Sequence, residues 1–294
     1  MTTTSASVAA RRAPAARLGR MVDHWLLPIY VVGVTAYLIL PVAVMILFSF
    51  NDPTGRSNLI WREFSFAAWL NPLGRPGLAE AVRNSLVVAV LATLIATALG
   101  TMIGLALSRY SFRGRAATNV LIFLPMSTPE IVLGASLLTM FVATVQLPLP
   151  PGLLFPLNIR TILIAHIMFN ISYVVVTVKA RLANFPRHLE EAAMDLGANE
   201  WTTFWRVTFP LILPGVIAAA LLAFSLSIDD YVVTAFTSGQ TETFPLFIYG
   251  SQLRGIPVQV NVIGTIIFVS AVLLVLLTTL WQRRVAARDY GAGV

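Results

Sequence analysis

Val207-Thr-Phe-Pro-Leu-Ile-Leu-Pro-Gly-Val-Ile-Ala-Ala-Ala-Leu-Leu-Ala-Phe-Ser-Leu-Ser-Ile228 runs for 22 residues without a charged side chain and is closed by Asp229-Asp230. At about 1.5 Å per residue such a helix crosses a hydrocarbon core of about 30 Å. Working outward, comparable charge-free intervals lie at 25–51, 84–108, 131–159, 161–178 and 255–282. They predict helices over 25–50, 82–108, 117–146, 160–180, 208–236 and 257–282, which makes the chain an all-α polytopic membrane protein with six transmembrane helices. The 294 residues are 57% apolar and only 11% charged, far from the roughly 25% charge of soluble domains. With no cysteine, disulfides, thiolate metal sites and cysteine nucleophiles are excluded. His24, His166 and His188 are too scattered for a histidine zinc site.

Six spans put both termini on one side. Assigning that side to the cytoplasm places 14 Lys and Arg inside, among them Arg109, Arg113, Arg115, Lys179, Arg181, Arg187 and Arg206. Six remain outside: Arg56, Arg62, Arg75, Arg83, Arg160 and Arg254. That bias is the positive-inside pattern, so the net charge of +7 requires no nucleic acid. Residues 1–23 read as a disordered cytoplasmic tail, 24–284 as the membrane domain and 285–294 as a second cytoplasmic tail. Residues 51–81, with Trp61, Phe64, Phe66 and Trp69 among turn residues, read as an outer loop. Leu147 to Pro156, with four prolines, reads as a second, stiff outer connection.

The connection between spans four and five, 186–210, lies on the inner side. Leu189, Ala192, Ala193 and Leu196 recur at helical spacing, which predicts a short helix with one apolar face. Gly197 falls where a left-handed cap is wanted, and Asn199 can cap a second short helix bearing Trp201, Phe204 and Trp205. Pro210 fits the first turn of span five, where its missing N–H costs little.

Glu191-Ala192-Ala193, Gly197, and then Val207-Thr-Phe-Pro210 after nine residues are similar to the EAA motif of permease subunits of bacterial ATP-binding-cassette importers. The family pattern has Ile and Leu where this chain has Val207 and Phe209, both changes keeping apolar character. The resemblance implies a type I importer bundle in the bacterial inner membrane. It also implies that Glu191, Ala192, Ala193, Gly197 and Pro210 belong to a coupling loop that docks on a separate ATPase. A Walker A loop needs a lysine, and the sole lysine, Lys179, ends an apolar segment. ATP and magnesium therefore belong to the partner, and this chain is expected to be non-catalytic with no bound cofactor. The further partners implied are a second homologous permease, a soluble or lipid-anchored binding protein, and the lipid bilayer.

Carboxylates at membrane depth are costly. Glu130 falls 13 residues into span three beside Pro125 and Pro129, which bend or break a helix. Asp229 and Asp230 come near the outer end of span five, with about 100° between their directions on a helix. Ser227, Tyr231 and, in the outer loop, Trp69 complete the candidate substrate path. Phe224-Ser-Leu-Ser-Ile-Asp-Asp-Tyr-Val-Val-Thr-Ala-Phe236, Pro245-Leu-Phe-Ile-Tyr249 and Gly255-Ile-Pro257 resemble the spermidine/putrescine, PotC-like branch. A polyamine would use carboxylates for its ammonium groups and aromatic faces for cation–π contact. A sugar or a metal ion is the alternative cargo. A gradient-driven secondary transporter is the alternative mechanism, but it leaves the Glu191-to-Pro210 signature unexplained. An enzyme lacks a nucleophile–base–orienter set. His166, Asn84, Asn170 and Ser172 are expected to form interhelical hydrogen bonds, and Met126, Met140 and Met168 to serve packing.

Overall fold

The computed structural model describes residues 13–147, 154–183, 185–253 and 255–291, with side chains between 26 and 280. In chain order the helices are α1 Ala13–Phe48, α2 Ala67–Leu70, α3 Leu78–Arg109, α4 Arg115–Ser127, α5 Glu130–Gln146 and α6 Ile159–Ala183. Then follow α7 His188–Asp195, α8 Glu200–Thr203, a π-helical turn Phe204–Thr208, α9 Phe209–Ile228, α10 Val232–Thr237, α11 Phe244–Gln252 and α12 Val258–Gly291. Among the described residues, five stretches are long and apolar enough to cross a membrane: Leu26–Phe48, Leu78–Arg109, Ile159–Ala183, Glu200–Ile228 and Val258–Leu280. A sixth is supplied by α4 and α5 if the bent pair is one span. The chain is thus an all-α polytopic bundle.

Two expected spans are interrupted. Span three, read as one helix over 117–146, is α4 and α5 with a bend of 108° between them. Pro129 cannot continue the ladder of α4, and the residue before a proline is pushed toward extended backbone; Thr128 is extended. Glu130 accordingly opens α5. It does not lie along a continuous helix. Span five, read as 208–236, stops at Ile228, and Asp229 and Asp230 occupy the break before α10. The tail readings shift as well, since α1 begins at Ala13 and α12 continues to Gly291. Residues 1–12, 292–294 and most of the proline-rich 147–156 connection lie outside the described residues.

The chain divides into two compact units. The first comprises residues up to Pro72 and Ile256–Leu274. In it, Asn51 and Asn58 knit the outer loop. Asn51 Nδ2 donates to Asn58 Oδ1 at 2.6 Å, and Asn58 Nδ2 donates to the Phe48 carbonyl at 2.7 Å. Phe50 stacks on Phe64 and on Trp69, with centroids 5.5 and 5.2 Å apart. Ala68 packs with Val258 and Val262 of α12.

The second unit comprises Leu73–Gly255 and the chain from Val275 onward. Its core is α3, α6 and α9: Val174, Val178 and Leu182 of α6 meet Ile212, Ala219 and Ala223 of α9, and Leu105 of α3 packs against them. α3 meets α6 through Gly100-Thr-Met-Ile-Gly104, where a Cβ on Gly100 would stand 2.6 Å from Val174 Cγ1 and one on Gly104 3.3 Å from Val178 Cγ1. Small residues four apart let two backbones approach where no water drives helices together. A second cluster, Leu137, Phe141, Ala165 and Val233, ties α5 to α6 and α10. These contacts place both helix breaks beside α6.

Candidate functional site

The first helix and both caps of the 186–210 segment form as the spacing predicted, but the second helix is not separate: α8 runs through the π-helical turn that carries Phe204 and Trp205 into α9, one stretch from Glu200 to Ile228. α7 ends in a Schellman motif, with Ala198 N–H donating to the Ala193 carbonyl at 3.1 Å and Gly197 N–H to that of Met194 at 2.9 Å. Gly197 has φ +90°, the left-handed region that only glycine enters freely. Asn199 caps α8, its Oδ1 accepting the Thr202 N–H at 2.8 Å. Trp201, Phe204, Trp205 and Phe209 form one aromatic cluster with centroid spacings of 5.0 to 5.8 Å. Pro210 stands in the first turn of α9. No residue of α7 is buried, so its apolar face, including Leu189, is exposed. Glu191, Ala192 and Gly197 are exposed and Ala193 is half-buried.

One carboxylate in this segment, that of Glu190, is engaged. Its Oε1 accepts from Arg109 Nη2 at 3.0 Å and from the Thr208 hydroxyl at 2.7 Å. Arg109 in turn lies over the Phe185 ring, 4.9 Å from its centroid. A cleft of about 860 Å³ opens here, lined by Arg109, Glu190, Glu191, Met194, Trp201 and Phe204 among others.

The acidic residues gather around the two helix breaks. A cavity of about 370 Å³ is lined by Ser127 to Glu130, Phe169, Tyr173, Asp230 and neighbours. Glu130 is exposed there and makes no hydrogen bond among the described residues. The hydroxyls at the end of α4 turn back on its last turn, Ser127 Oγ donating to Phe123 O at 2.9 Å and Thr128 Oγ1 to Leu124 O at 2.7 Å, the latter beside the Thr128 N–H bond to the same carbonyl at 3.0 Å.

Asp230 is engaged through one of its two carboxylate oxygens. Its Oδ2 accepts the Thr234 N–H at 2.8 Å and the Thr234 hydroxyl at 2.7 Å, and lies 3.4 Å from His166 Nε2. His166, buried in α6, also pairs with Ser227 Oγ through Nδ1 at 2.6 Å and with Thr234 Oγ1 through Nε2 at 2.9 Å. Asp229 is exposed at the end of α9. Tyr231 pairs with Tyr249, the ring centroids 4.5 Å apart. Among the described residues no group of His, Asp and Glu is arranged to hold a metal ion.

Residues 96–288 match the family described as the binding-protein-dependent transport system inner membrane component. The chain belongs to this family. The permease is 36% identical over 252 residues, 85% of its own length and 94% of the relative's, to the spermidine/putrescine transport system permease protein PotC of Haemophilus influenzae. It is 35% identical over 249 residues, 83% of its length and 85% of the relative's, to the putrescine transport system permease protein PotI of Escherichia coli K12. Among solved structures, a bacterial ABC transporter chain involved in import of the acidic polysaccharide alginate superposes with a TM-score of 0.68. That chain is 17% identical, and the match covers 91% of the permease and 99% of the alginate chain. This last likeness concerns the fold alone. The permease is therefore an ATP-binding-cassette permease of the PotC-like branch, and a multi-pass membrane protein.

Against the residues singled out from sequence, the permease brings Glu130 and Asp230 to one cavity. Ser227 is corrected: it is buried against His166 and so offers no hydroxyl to a path. Trp69 belongs to the first unit, where its Nε1 donates to Ser49 Oγ at 3.3 Å and its ring stacks on Phe50; it does not line the acidic cavity. His166 makes the expected interhelical bonds. Asn84 bonds instead to the Glu242 carbonyl at 2.9 Å, and the buried Asn170 side chain has no hydrogen-bond partner among the described residues. Phe169 and Tyr173 on the cavity wall were missed from sequence, although one turn of α6 separates them. Glu190 was missed because nothing in the string distinguishes it from Glu191.

Proposed function

We propose that this permease moves polyamines, spermidine or putrescine, across the bacterial inner membrane as one permease of an ATP-driven importer. The observation that carries the cargo reading is the joining of Glu130 and Asp230 with Phe169 and Tyr173 around one cavity. Carboxylates answer the ammonium groups of a polyamine, and aromatic faces answer both its charge and its methylenes. The names of the PotC and PotI relatives agree with that chemistry. Exposed Asp229, and Tyr231 paired with Tyr249, complete the path.

In this reading both termini are cytoplasmic, as the excess of basic residues on that side supports. The exposed helix α7, with Glu191, Ala192, Ala193 and Gly197, docks into a groove on a separate ATPase, and Pro210 starts the span behind it. ATP and magnesium bind to that ATPase dimer, and this chain binds no cofactor and catalyses no reaction. A second, homologous permease completes the translocation path. A soluble or lipid-anchored binding protein delivers cargo from outside.

The test is reconstitution with the candidate ATPase, second permease and binding protein, reading ATP hydrolysis with spermidine, putrescine and a neutral sugar. Stimulation by polyamine-loaded binding protein alone is expected. Stimulation by sugar alone would discard the cargo, and failure to retain any ATPase would discard the coupling role.

A further inference from the structure

α7 has no fully buried residue, so apolar packing ties it only weakly to the bundle. Its side-chain ties to the spans are polar. Glu190 Oε1 takes one bond from Arg109, the last residue of α3, and one from Thr208, the last residue of the π-helical turn before α9. The Arg109 and Glu190 side chains are only 15% and 17% exposed, so water competes weakly for the pair, and such charge-assisted bonds are about twice as strong as neutral ones. The Phe185 ring, 4.9 Å from the Arg109 guanidinium carbon, adds a cation–π contact to the same side chain. Arg187, just before α7, donates through Nη2 to the Ser108 carbonyl at 3.0 Å, so a second cation ties the same helix to the open C-terminal end of α3.

We propose that Glu190, clamped between Arg109 and Thr208, is the positioning residue that passes a displacement of α7 into α3 and α9 together. The proposal rests on the reading of 186–210 as the ATPase-coupling segment and adds how that segment is joined to the spans. A movement is transmitted only through elements that shift as packed units. Here one carboxylate oxygen is the shared point of three elements. The adjacent Glu191 is exposed, lies about 100° round the helix, and its carboxylate makes no bond among the described residues. The two neighbouring acids thus divide the work: Glu190 faces the bundle and Glu191 faces the partner.

The test uses the full reconstituted importer carrying Glu190→Gln, Glu190→Asp, Arg109→Gln, both glutamines together, or the reversed pair Glu190→Arg with Arg109→Glu. ATPase retained on the tagged permease, ATP hydrolysis and spermidine uptake are read from the same vesicles. Glu190→Gln and Arg109→Gln are expected to retain the ATPase and its hydrolysis while spermidine moved per ATP falls by about fivefold or more, the lower range of a coupling energy. The double glutamine is expected to be no worse than either single, and Glu190→Asp or the reversed pair to recover part of the loss. An unchanged ratio in Glu190→Gln would overturn the proposal. So would loss of ATPase retention in that variant, because Glu190 would then be a docking contact. If the unaltered permease retained no ATPase, the coupling reading itself would fall, and the lock with it.

Discussion

Asp230 on the α9–α10 break and His166 in α6 are joined through Thr234, whose hydroxyl lies 2.7 Å from Asp230 Oδ2 and 2.9 Å from His166 Nε2. An ionised carboxylate only accepts, so the Thr234 hydroxyl hydrogen goes to Asp230 and its oxygen accepts from Nε2–H; a neutral ring then accepts from Ser227 at Nδ1. Both ring nitrogens are used, and α6, α9 and α10 are pinned at one point beside the cavity. Replacing His166 with Leu leaves two buried hydroxyls short of a partner, which is expected to cost about 1–3 kcal/mol. Thermal unfolding of the detergent-purified permease should show a lower midpoint for His166→Leu, and an unchanged midpoint would refute the pinning role.

The acids should separate by what each already holds. Asp230→Ala removes the acceptor of the Thr234 N–H and hydroxyl and is expected to lower stability as well as uptake. Glu130→Gln removes a carboxylate with no partner among the described residues, so the unfolding midpoint should stay put. If Glu130 meets an ammonium group, one lost charge-assisted bond of about 1.5–3 kcal/mol corresponds to roughly tenfold or more in apparent KM for spermidine. Uptake kinetics beside unfolding curves for the two variants decide the matter: equal destabilisation, or an unmoved KM in Glu130→Gln, would take Glu130 off the path.

How far these features can be read in the string follows from their range. Gly197, Asn199 and Pro210 act within a few residues of themselves, and their caps are where local backbone chemistry placed them. Pro125 and Pro129 announced a disturbance of span three, but the 108° bend depends on what α5 packs against, and so does Glu130 opening a helix instead of lying along one. Asp230 and Thr234 stand at helical spacing and their bond is local in kind. By contrast, Ser227 and His166 are 61 residues apart, and Glu190 and Arg109 are 81 apart. Only the crossing of α3, α6 and α9 decides that Ser227 faces a histidine and that Glu190 is the acid held by the bundle.

That crossing has its own test at Gly100. A methyl there would meet Val174 Cγ1 at 2.6 Å and Val174 Cβ at 2.7 Å, distances that force the helices apart. Gly100→Ala is expected to cost about 1–3 kcal/mol of stability, the range for overpacked cores. Gly104→Ala, with its nearest contact at 3.3 Å, should cost less. Val174→Ala removes Cγ1 but keeps Cβ, so it should rescue Gly100→Ala only in part. Gly33→Ala, which meets nothing within 4 Å, is the neutral control. Comparable midpoints for Gly33→Ala and Gly100→Ala in detergent would contradict the close α3–α6 contact.

Gly197 separates strain from crowding. Nothing lies within 4 Å of a Cβ built there, yet its φ is +90°. A β-branched residue is penalised at such a φ by about 1–2 kcal/mol or more, whereas asparagine enters the left-handed region with less cost. Because no residue of α7 belongs to the buried core, this strain falls on the turn between α7 and α8 and not on the core. Gly197→Val is therefore expected to leave the unfolding midpoint nearly unchanged while reorienting α7 against α8. In reconstituted vesicles, spermidine moved per ATP hydrolysed should drop several-fold for Gly197→Val and stay near the unaltered value for Gly197→Asn. Equal ratios for valine and asparagine would mean that the angle between the two short helices does not govern coupling. A drop in both with loss of the bound ATPase would mean that Gly197 acts through docking itself and not through the angle of the turn.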